Sequence, residues 1–269
     1  PGFHGPCHLD DAVPGGWHNG TEYSKTNDVD CLWALTDALS VARWKFNEFF
    51  GDGASPVHEE VAWGVDLLKR MVAADGTVSA LPVSNPDYWG PPEKETDNLP
   101  GTGDERALAP EAPDAALVAM TLARAAGYLP GNTGLVDAAE RALRPCLDAG
   151  KTGPRVFSAA MSLYMATQNS GYGETAKQLY PGPDFECAES VVDLESEFDV
   201  LTSTEEAIHL REKAEALMKS VNNPFGLCPA GKEGQSLLPE DGMGNTARIL
   251  EAADVVAKAF RFNPIPEYS

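Results

Sequence analysis

Apolar residues recur three or four positions apart through most of this chain of 269 residues. That spacing places them on one face of an α-helix, so it predicts a fold built from amphipathic helices. No comparable run of alternating apolar and polar residues predicts a β-strand. The sequence therefore predicts an all-α protein. The predicted helices cover residues 30–50, 56–74, 113–127, 135–149, 155–167, 173–179, 204–221 and 245–262.

The connections between these helices are of two kinds. Several are short and contain glycine, whereas residues 84–110, 181–200 and 222–244 form long stretches rich in proline, glycine and acidic residues. Loops of this length in a compact domain usually carry function. Consecutive helical hairpins with long loops on one side predict a toroid or barrel whose loop-bearing face holds a cleft. No change of composition marks a domain boundary, so residues 1–269 are predicted to form a single domain.

The charge of the chain excludes several partners. It has 41 acidic and 20 basic residues, which give a formal net charge of -21. This charge opposes binding to the phosphates of nucleic acid and to an anionic membrane surface. No stretch contains the roughly 20 consecutive apolar residues of a membrane-spanning helix. A neutral polysaccharide or oligosaccharide meets no such repulsion and fits as a partner.

The start of the chain and its cysteines add two expectations. No charged-then-apolar signal peptide opens the sequence, and Pro1 stands where an initiator Met would be, so we expect a processed or trimmed chain. Cysteines occur at positions 7, 31, 146, 187 and 228. They are too sparse for a disulfide scaffold, and their odd number leaves at least one outside any disulfide within the chain.

Residues 7–23 are the densest collection of reactive groups in the sequence, and they precede the first predicted helix. Cys7, His8 and His18 offer a thiolate and two imidazoles, which suit a structural zinc ion. The alternative is that His18 is only oriented by hydrogen bonds. Calcium is a second metal candidate, because the acidic stretch 184–199 offers oxygen ligands, although its spacing is not that of an EF-hand.

A family resemblance begins in this segment. Residues 15–25, Gly-Gly-Trp-His-Asn-Gly-Thr-Glu-Tyr-Ser-Lys, resemble the Gly-Gly-Trp-His-Asp-Ala-Gly-Asp-Tyr-Gly-Lys motif of glycoside hydrolase family 9, the endoglucanase family. Further matches follow in the same order, at 59–69 (Glu-Glu-Val-Ala-Trp-Gly-Val-Asp-Leu-Leu-Lys), 89–93 (Trp-Gly-Pro-Pro-Glu), 112–126, 158–167 and 223–226. The resemblance covers nearly the whole chain. It implies an (α/α)6 barrel, a secreted and thus extracellular location, and action on β-1,4-glucan.

The resemblance also implies roles for individual residues. The two aspartates of the family motif position and activate the attacking water, and the matching residues here are Asn19 and Glu22. Glu22 retains a carboxylate that can act as general base, although its extra methylene displaces that group by about an ångström or more, which can be costly. Asn19 cannot accept a proton and would only orient the water.

Aromatic residues near these positions are candidates for sugar binding. Trp17, Tyr23 and Trp89 would stack on sugar rings, and Glu93 would contact hydroxyl groups. The alternatives are packing within the loops for the aromatic residues and simple solvation for Glu93. The remaining tryptophans lie within helical patterns and are predicted to belong to the core: Trp33, Trp44 and Trp63.

The resembled family places its proton-donating glutamate in a final segment beyond the last helices, and we expect this chain, which ends at Ser269, to lack it. Three hypotheses follow. The first is an inverting glycoside hydrolase, or a segment of one, whose acid comes from elsewhere. The second is a non-catalytic carbohydrate-binding or structural descendant. The third is an incomplete barrel whose exposed helix faces bind a second chain or another copy of itself.

Overall fold

The computed structural model describes residues 56–80, 82–83, 107–108, 111–129, 134–181 and 187–198, together with 29, 32–33, 35–36, 39, 208 and 212. These residues are predominantly helical, which confirms the all-α prediction. The elements are α1 (Pro56–Met71), β1 (Pro82–Val83), β2 (Ala107–Leu108), α2 (Ala115–Ala126), α3 (Leu135–Asp148), α4 (Pro154–Thr167), α5 (Ser170–Leu179) and α6 (Ala188–Phe198). By internal contacts the chain divides into two compact units, Pro1–Thr175 and Ala176–Ser269. The single-domain organisation stays a prediction.

The helices predicted from periodicity are found close to their expected bounds. Helices α1 to α4 match four predicted helices to within three residues at either end, and α5 begins three residues before the predicted position. The first predicted helix is confirmed at the described positions between 29 and 39, all of which are helical. Ile208 and Glu212, which lie within the seventh predicted helix, are also helical. The eighth, 245–262, lies outside the described residues.

The prediction of a continuous loop over 181–200 was wrong, because α6 occupies residues 188–198 of it. The stretch is acidic, but its buried residues Cys187, Val191 and Leu194 recur at helical spacing. A helix engages its backbone carbonyls in its own hydrogen bonds. Residues 188–198 of the stretch that suggested calcium are therefore helical and do not form the acidic loop on which that suggestion rested.

The two strands were not predicted from the sequence. β1 and β2 pair in an antiparallel ladder, with Pro82 opposite Leu108 and Val83 opposite Ala107. An isolated bridge also joins Val72 to Val78, just after α1. Ladders of two residues are too short to show an alternating pattern, so periodicity could not reveal them. The β1–β2 ladder joins the two ends of the long connection predicted over 84–110.

The centre of the first unit is α2, in which every residue from Ala116 to Ala125 is buried. It packs against α3 and α4, and α1 packs against α2 and α3. Small side chains allow helix axes to approach closely, which explains why an alanine-rich helix lies at the centre. Larger side chains on the neighbouring helices fill the remaining space, and the fully buried ones include Leu143, Phe157, Met161 and Leu163.

Asp114 fixes the start of α2. One carboxylate oxygen, Oδ1, accepts a hydrogen bond from the backbone N–H of Ala116 at 2.9 Å. The other, Oδ2, lies 3.3 Å from the guanidinium of Arg155 at the start of α4. One side chain therefore caps a helix and links two packed helices.

We expect Asp114→Ala to lower the free energy of unfolding by about 1 kcal/mol, the usual contribution of an N-terminal cap. Asp114→Asn is the matched control, because an asparagine still caps a helix but forms no ion pair with Arg155. The ion pair is solvent-exposed and contributes little, so the asparagine variant is expected to stay near wild type. Urea denaturation measures both. An asparagine variant as unstable as the alanine variant would assign the effect to the ion pair.

A tight turn follows α1. Gly76 has a left-handed backbone with φ of 89°. The N–H of Ala73 donates to the carbonyl of Thr77 at 2.9 Å, and the N–H of Thr77 donates to Asp75 Oδ1 at 2.9 Å. The side chain of Arg141, on α3, donates from Nε to the carbonyl of Ala73 at 3.3 Å. The turn therefore connects the end of α1 to the side of α3.

The tryptophans predicted to lie in the core behave differently from one another. Trp33 is half-buried, with the guanidinium carbon of the buried Arg124 at 5.8 Å from its ring centroid. Trp63 is 53% exposed, so its assignment to the core was wrong. The buried face of α1 carries Val61, Val65 and Leu68, which lie on the opposite side of the helix from Trp63. Trp44 lies outside the described residues.

Candidate functional site

The residues predicted to form the site lie outside the part of the chain that the structure describes. Their roles stay predictions. The elements that flank them in the sequence are described, and these constrain where the site segments are anchored. The residues concerned are Cys7, His8, Trp17, His18, Asn19, Glu22, Tyr23, Trp89 and Glu93.

The segment with Asn19 and Glu22 leads into a packed helix. Val29, Leu32 and Leu39 of that helix are buried. The buried Thr36 donates a hydrogen bond from its hydroxyl to the carbonyl of Leu32 at 2.8 Å, one turn earlier. Val29 follows Glu22 by only seven positions, and an extended chain of that length spans at most about 25 Å. The length of the chain therefore limits how far the backbone of Glu22 can lie from Val29.

The connection with Trp89 and Glu93 is anchored at both ends. β1 ends at Val83 and β2 begins at Ala107, and these two residues are paired in the ladder. Trp89 follows Val83 by six residues, so the ladder restricts it to within about 20 Å of that strand. Closing the loop through a ladder also lowers the entropy that the connection loses when it binds a ligand. The ladder thus fixes the two ends of the connection that contains Trp89 and Glu93.

Three ionisable groups in the described ranges have perturbed pKa values, each with a structural cause. Burial, together with a hydrogen bond to Glu140, raises the pKa of Tyr172 to about 12. Burial also raises the pKa of the Cys146 thiol, which disfavours the reactive thiolate. Hydrogen bonds from Thr77 lower the pKa of Asp75, in the turn after α1. All three are explained by packing or turn formation.

The described residues also bear on metal binding and on membrane crossing. Among the residues that the structure describes, no group of three or more His, Cys, Asp or Glu side chains is arranged to hold a metal ion. Cys7, His8 and His18 lie outside these ranges, so the predicted zinc site is untested by this observation. None of the helices within the described residues is long and apolar enough to cross a membrane.

Comparison with known proteins places the fold. No protein-family sequence profile matches the chain, and no curated protein matches it by sequence. Solved structures do match. A Zn-binding triple mutant of the glycoside hydrolase family 9 endoglucanase J30 shares 18% identity at a TM-score of 0.69, with 98% of this chain and 60% of that one covered. The endoglucanase of the termite Nasutitermes takasagoensis shares 17% identity at a TM-score of 0.64, with 93% and 63% covered.

A third match was solved with a ligand. Endoglucanase CelQ from Clostridium thermocellum, complexed with cellotriose, shares 14% identity at a TM-score of 0.58, with 99% of this chain and 52% of that one covered. The chain thus spans between about half and two thirds of the length of these structures.

These matches define the class of fold as one built from packed helical hairpins. More particularly, the chain has the fold of the family 9 endoglucanases, which are (α/α)6 barrels. The resemblance read from the sequence motifs is confirmed at the level of the fold.

Proposed function

We propose that this chain is an extracellular glycoside hydrolase-type protein that binds β-1,4-glucan and hydrolyses it with inversion. The observation that carries the proposal is the structural match with family 9 endoglucanases over nearly the whole chain, at a TM-score of 0.69 with one of them. The order of the matching sequence motifs supports the same family. CelQ, with the same fold, holds cellotriose in its structure.

In this proposal Glu22 removes a proton from the attacking water, and Asn19 orients that water by hydrogen bonding. Inversion requires the base and a general acid on opposite sides of the scissile bond, with their carboxyl groups roughly 6.5–9.5 Å apart. The proton donor would come from a segment other than the motif of residues 15–25, or from a second chain that binds this one. Trp17, Tyr23 and Trp89 would supply aromatic platforms for successive sugar rings, and Glu93 would accept hydrogen bonds from sugar hydroxyls.

The experiment that tests the proposal is product analysis of cellohexaose incubated with the chain. Shorter cello-oligosaccharides are expected. Their newly formed reducing ends should be α-anomers at early times, because inversion at a β-linked carbon produces the α configuration. Proton NMR distinguishes the two anomers before mutarotation mixes them. Cellohexaose that stays intact at high protein concentration would contradict hydrolysis by this chain.

A second candidate function has its own supporting observation. Asn19 replaces one of the two aspartates that the family motif supplies for catalysis, and an amide cannot take up a proton. A descendant of the family that binds β-glucan without cleaving it would tolerate that replacement. This candidate keeps the roles of Trp17, Tyr23 and Trp89 and removes the role of Glu22.

A structural zinc ion bound by Cys7, His8 and His18 remains part of the proposal. The three residues form a ligand set of the kind that zinc prefers, and a fourth ligand would complete a tetrahedral site. Metal analysis of the purified chain beside Cys7→Ser tests the assignment, since loss of a thiolate ligand should remove the bound zinc.

A further inference from the structure

Helix α4 is buried on all sides along its middle, and two of the residues there are serines. Every residue over 156–163 is buried, and Ser158 and Ser162 are each only 1% exposed. The two positions between them that follow Ser158 are the alanines 159 and 160. Alanine differs from serine only in lacking the hydroxyl group, so the size of the side chain does not by itself explain serine at positions 158 and 162.

The hydroxyl groups of these two serines are buried without a hydrogen bond. Neither Ser158 Oγ nor Ser162 Oγ has a hydrogen-bond partner among the residues that the structure describes. A buried hydroxyl in this condition loses its hydrogen bonds with solvent on folding and gains none in return. Because folded proteins satisfy the large majority of their buried polar groups, two such hydroxyls in one helix point to a partner outside the polypeptide.

The usual local acceptor for a hydroxyl in a helix is the carbonyl four residues earlier. Four threonines in the described helices donate to that carbonyl at distances between 2.6 and 2.8 Å, namely Thr36, Thr121, Thr167 and Thr175. For Ser158 and Ser162 the equivalent acceptors are the carbonyls of Pro154 and Ser158, and neither hydroxyl donates to them. Both serines therefore hold their oxygens away from the backbone carbonyls of their own helix.

The spacing of the two serines suits a small ligand that contacts both. Residues four positions apart lie on the same face of a helix, with their Cβ atoms about 5–6 Å apart. A water molecule about 2.8 Å from each of two oxygens spans up to about 5.6 Å between them. Each hydroxyl can donate one hydrogen bond or accept one, so the pair supplies the two polar partners that a buried water needs. With both serines 1% exposed, a ligand as large as a sugar has no access.

We propose that Ser158 and Ser162 together bind one buried water molecule beside α4, with one hydrogen bond from each hydroxyl group. The water is part of the core of the first unit, in which α4 packs against α2 and α3. Because hydrogen bonds are directional, the two bonds restrict the rotation of α4 about its axis within otherwise apolar surroundings. The site does not depend on the proposed function.

Urea denaturation of the full chain with Ser158→Ala, Ser162→Ala and both substitutions tests the site. Each single substitution is expected to raise the equilibrium constant of unfolding about fivefold, the usual effect of losing a hydrogen bond. The double variant is expected to unfold no more readily than either single variant, because both hydroxyls hold the same water molecule. Ser79→Ala is the matched control, since it removes the hydroxyl of an exposed serine, and it is expected to unfold like wild type.

A single variant as stable as wild type, or more stable, would overturn the inference, because removal of an unsatisfied hydroxyl from a core is not unfavourable. Single effects that multiply to roughly 25-fold in the double variant would give the two hydroxyls separate partners and would also overturn it. A high-resolution crystal structure is the second measurement and is expected to show a water molecule within hydrogen-bond distance of both Oγ atoms. Hydroxyls that instead donate to the carbonyls of Pro154 and Ser158 would contradict the shared water.

Discussion

Gly76→Ala is expected to lower the free energy of unfolding by about 3 kcal/mol, a large share of the stability of an ordinary domain. Two effects add. The φ of 89° at Gly76 lies in the left-handed region, where any residue with a Cβ is strained by about 1 kcal/mol or more. A Cβ at this position would also overlap the carbonyl oxygen of Arg141 and lie 2.9 Å from Pro145 Cγ, so the turn and α3 would have to move apart.

The overlap has a cause in the sequence of α3. Pro145 lies inside that helix and has no N–H to donate to the carbonyl of Arg141, four residues earlier. The helix therefore leaves that carbonyl outside its regular hydrogen bonding, and the turn after α1 brings Gly76 against it. A glycine has no side chain to keep the two backbones apart, so this contact requires glycine for steric as well as conformational reasons.

Gly150→Ala is the matched control for the backbone strain that a residue with a Cβ has at a left-handed position. Gly150 has a left-handed φ of 66°, and a Cβ there would meet no atom within 4 Å. We expect it to cost about 1 kcal/mol, from strain alone. Urea denaturation of both variants gives the steric contribution as their difference. Equal losses for the two would show that α3 yields to the added methyl group at little cost.

The sequence predicted the helices well because each has an apolar stripe and a clear end. Gly127 and Gly150 follow α2 and α3 closely, and Pro154 begins α4, where a proline loses no helical hydrogen bond. The sequence prediction did not include α6, because a composition rich in proline, glycine and acidic residues over 181–200 is typical of a loop. The buried Val191 and Leu194 of α6 show that spacing, and not charge content, decided the structure.

The error at Trp63 is of another kind, because the helix is predicted correctly but the face on which Trp63 lies is not. It was assigned to the core because it lies within a helical pattern, yet its position on that helix is opposite to Val61 and Val65. Helical phase, which the sequence contains, would have placed it on the polar face. The β1–β2 ladder is different in kind. Val83 pairs with Ala107, which is far away in the sequence, and the ladder contains only two residue pairs. No local sequence pattern encodes such a contact.

The candidate site could be predicted only as a set of motifs. The order of the motifs identified the fold, because the residues that build the scaffold recur with the period of their helices. The structural matches confirmed this fold. The positions of Asn19, Glu22 and Trp89 relative to one another depend on how long connections pack across the barrel. That packing is a long-range property, so a sequence motif assigns a role to Glu22 without giving its distance to a sugar.

Glu22→Gln is expected to reduce the rate of cellohexaose hydrolysis about 100-fold or more, since removal of a general base typically costs that much. Glutamine has nearly the same shape as glutamate and cannot accept the proton of the attacking water. Binding of cellohexaose, measured by calorimetry, should stay within a few-fold of wild type, because the sugar contacts are unchanged. A loss confined to the rate distinguishes a base from a residue that only binds the substrate.

Glu93→Gln makes the same chemical change at a predicted sugar contact and is the matched control. We expect it to alter affinity modestly and to leave the rate at saturating cellohexaose near wild type. Trp17→Ala should weaken affinity about tenfold, the usual effect of removing an aromatic platform. If wild type and Glu22→Gln bind cellohexaose equally and neither cleaves it, while Trp17→Ala loses affinity, the binding function is the correct one. Equal cleavage by wild type and Glu22→Gln would remove Glu22 from the mechanism, because an inverting enzyme cannot hydrolyse its substrate efficiently without its base.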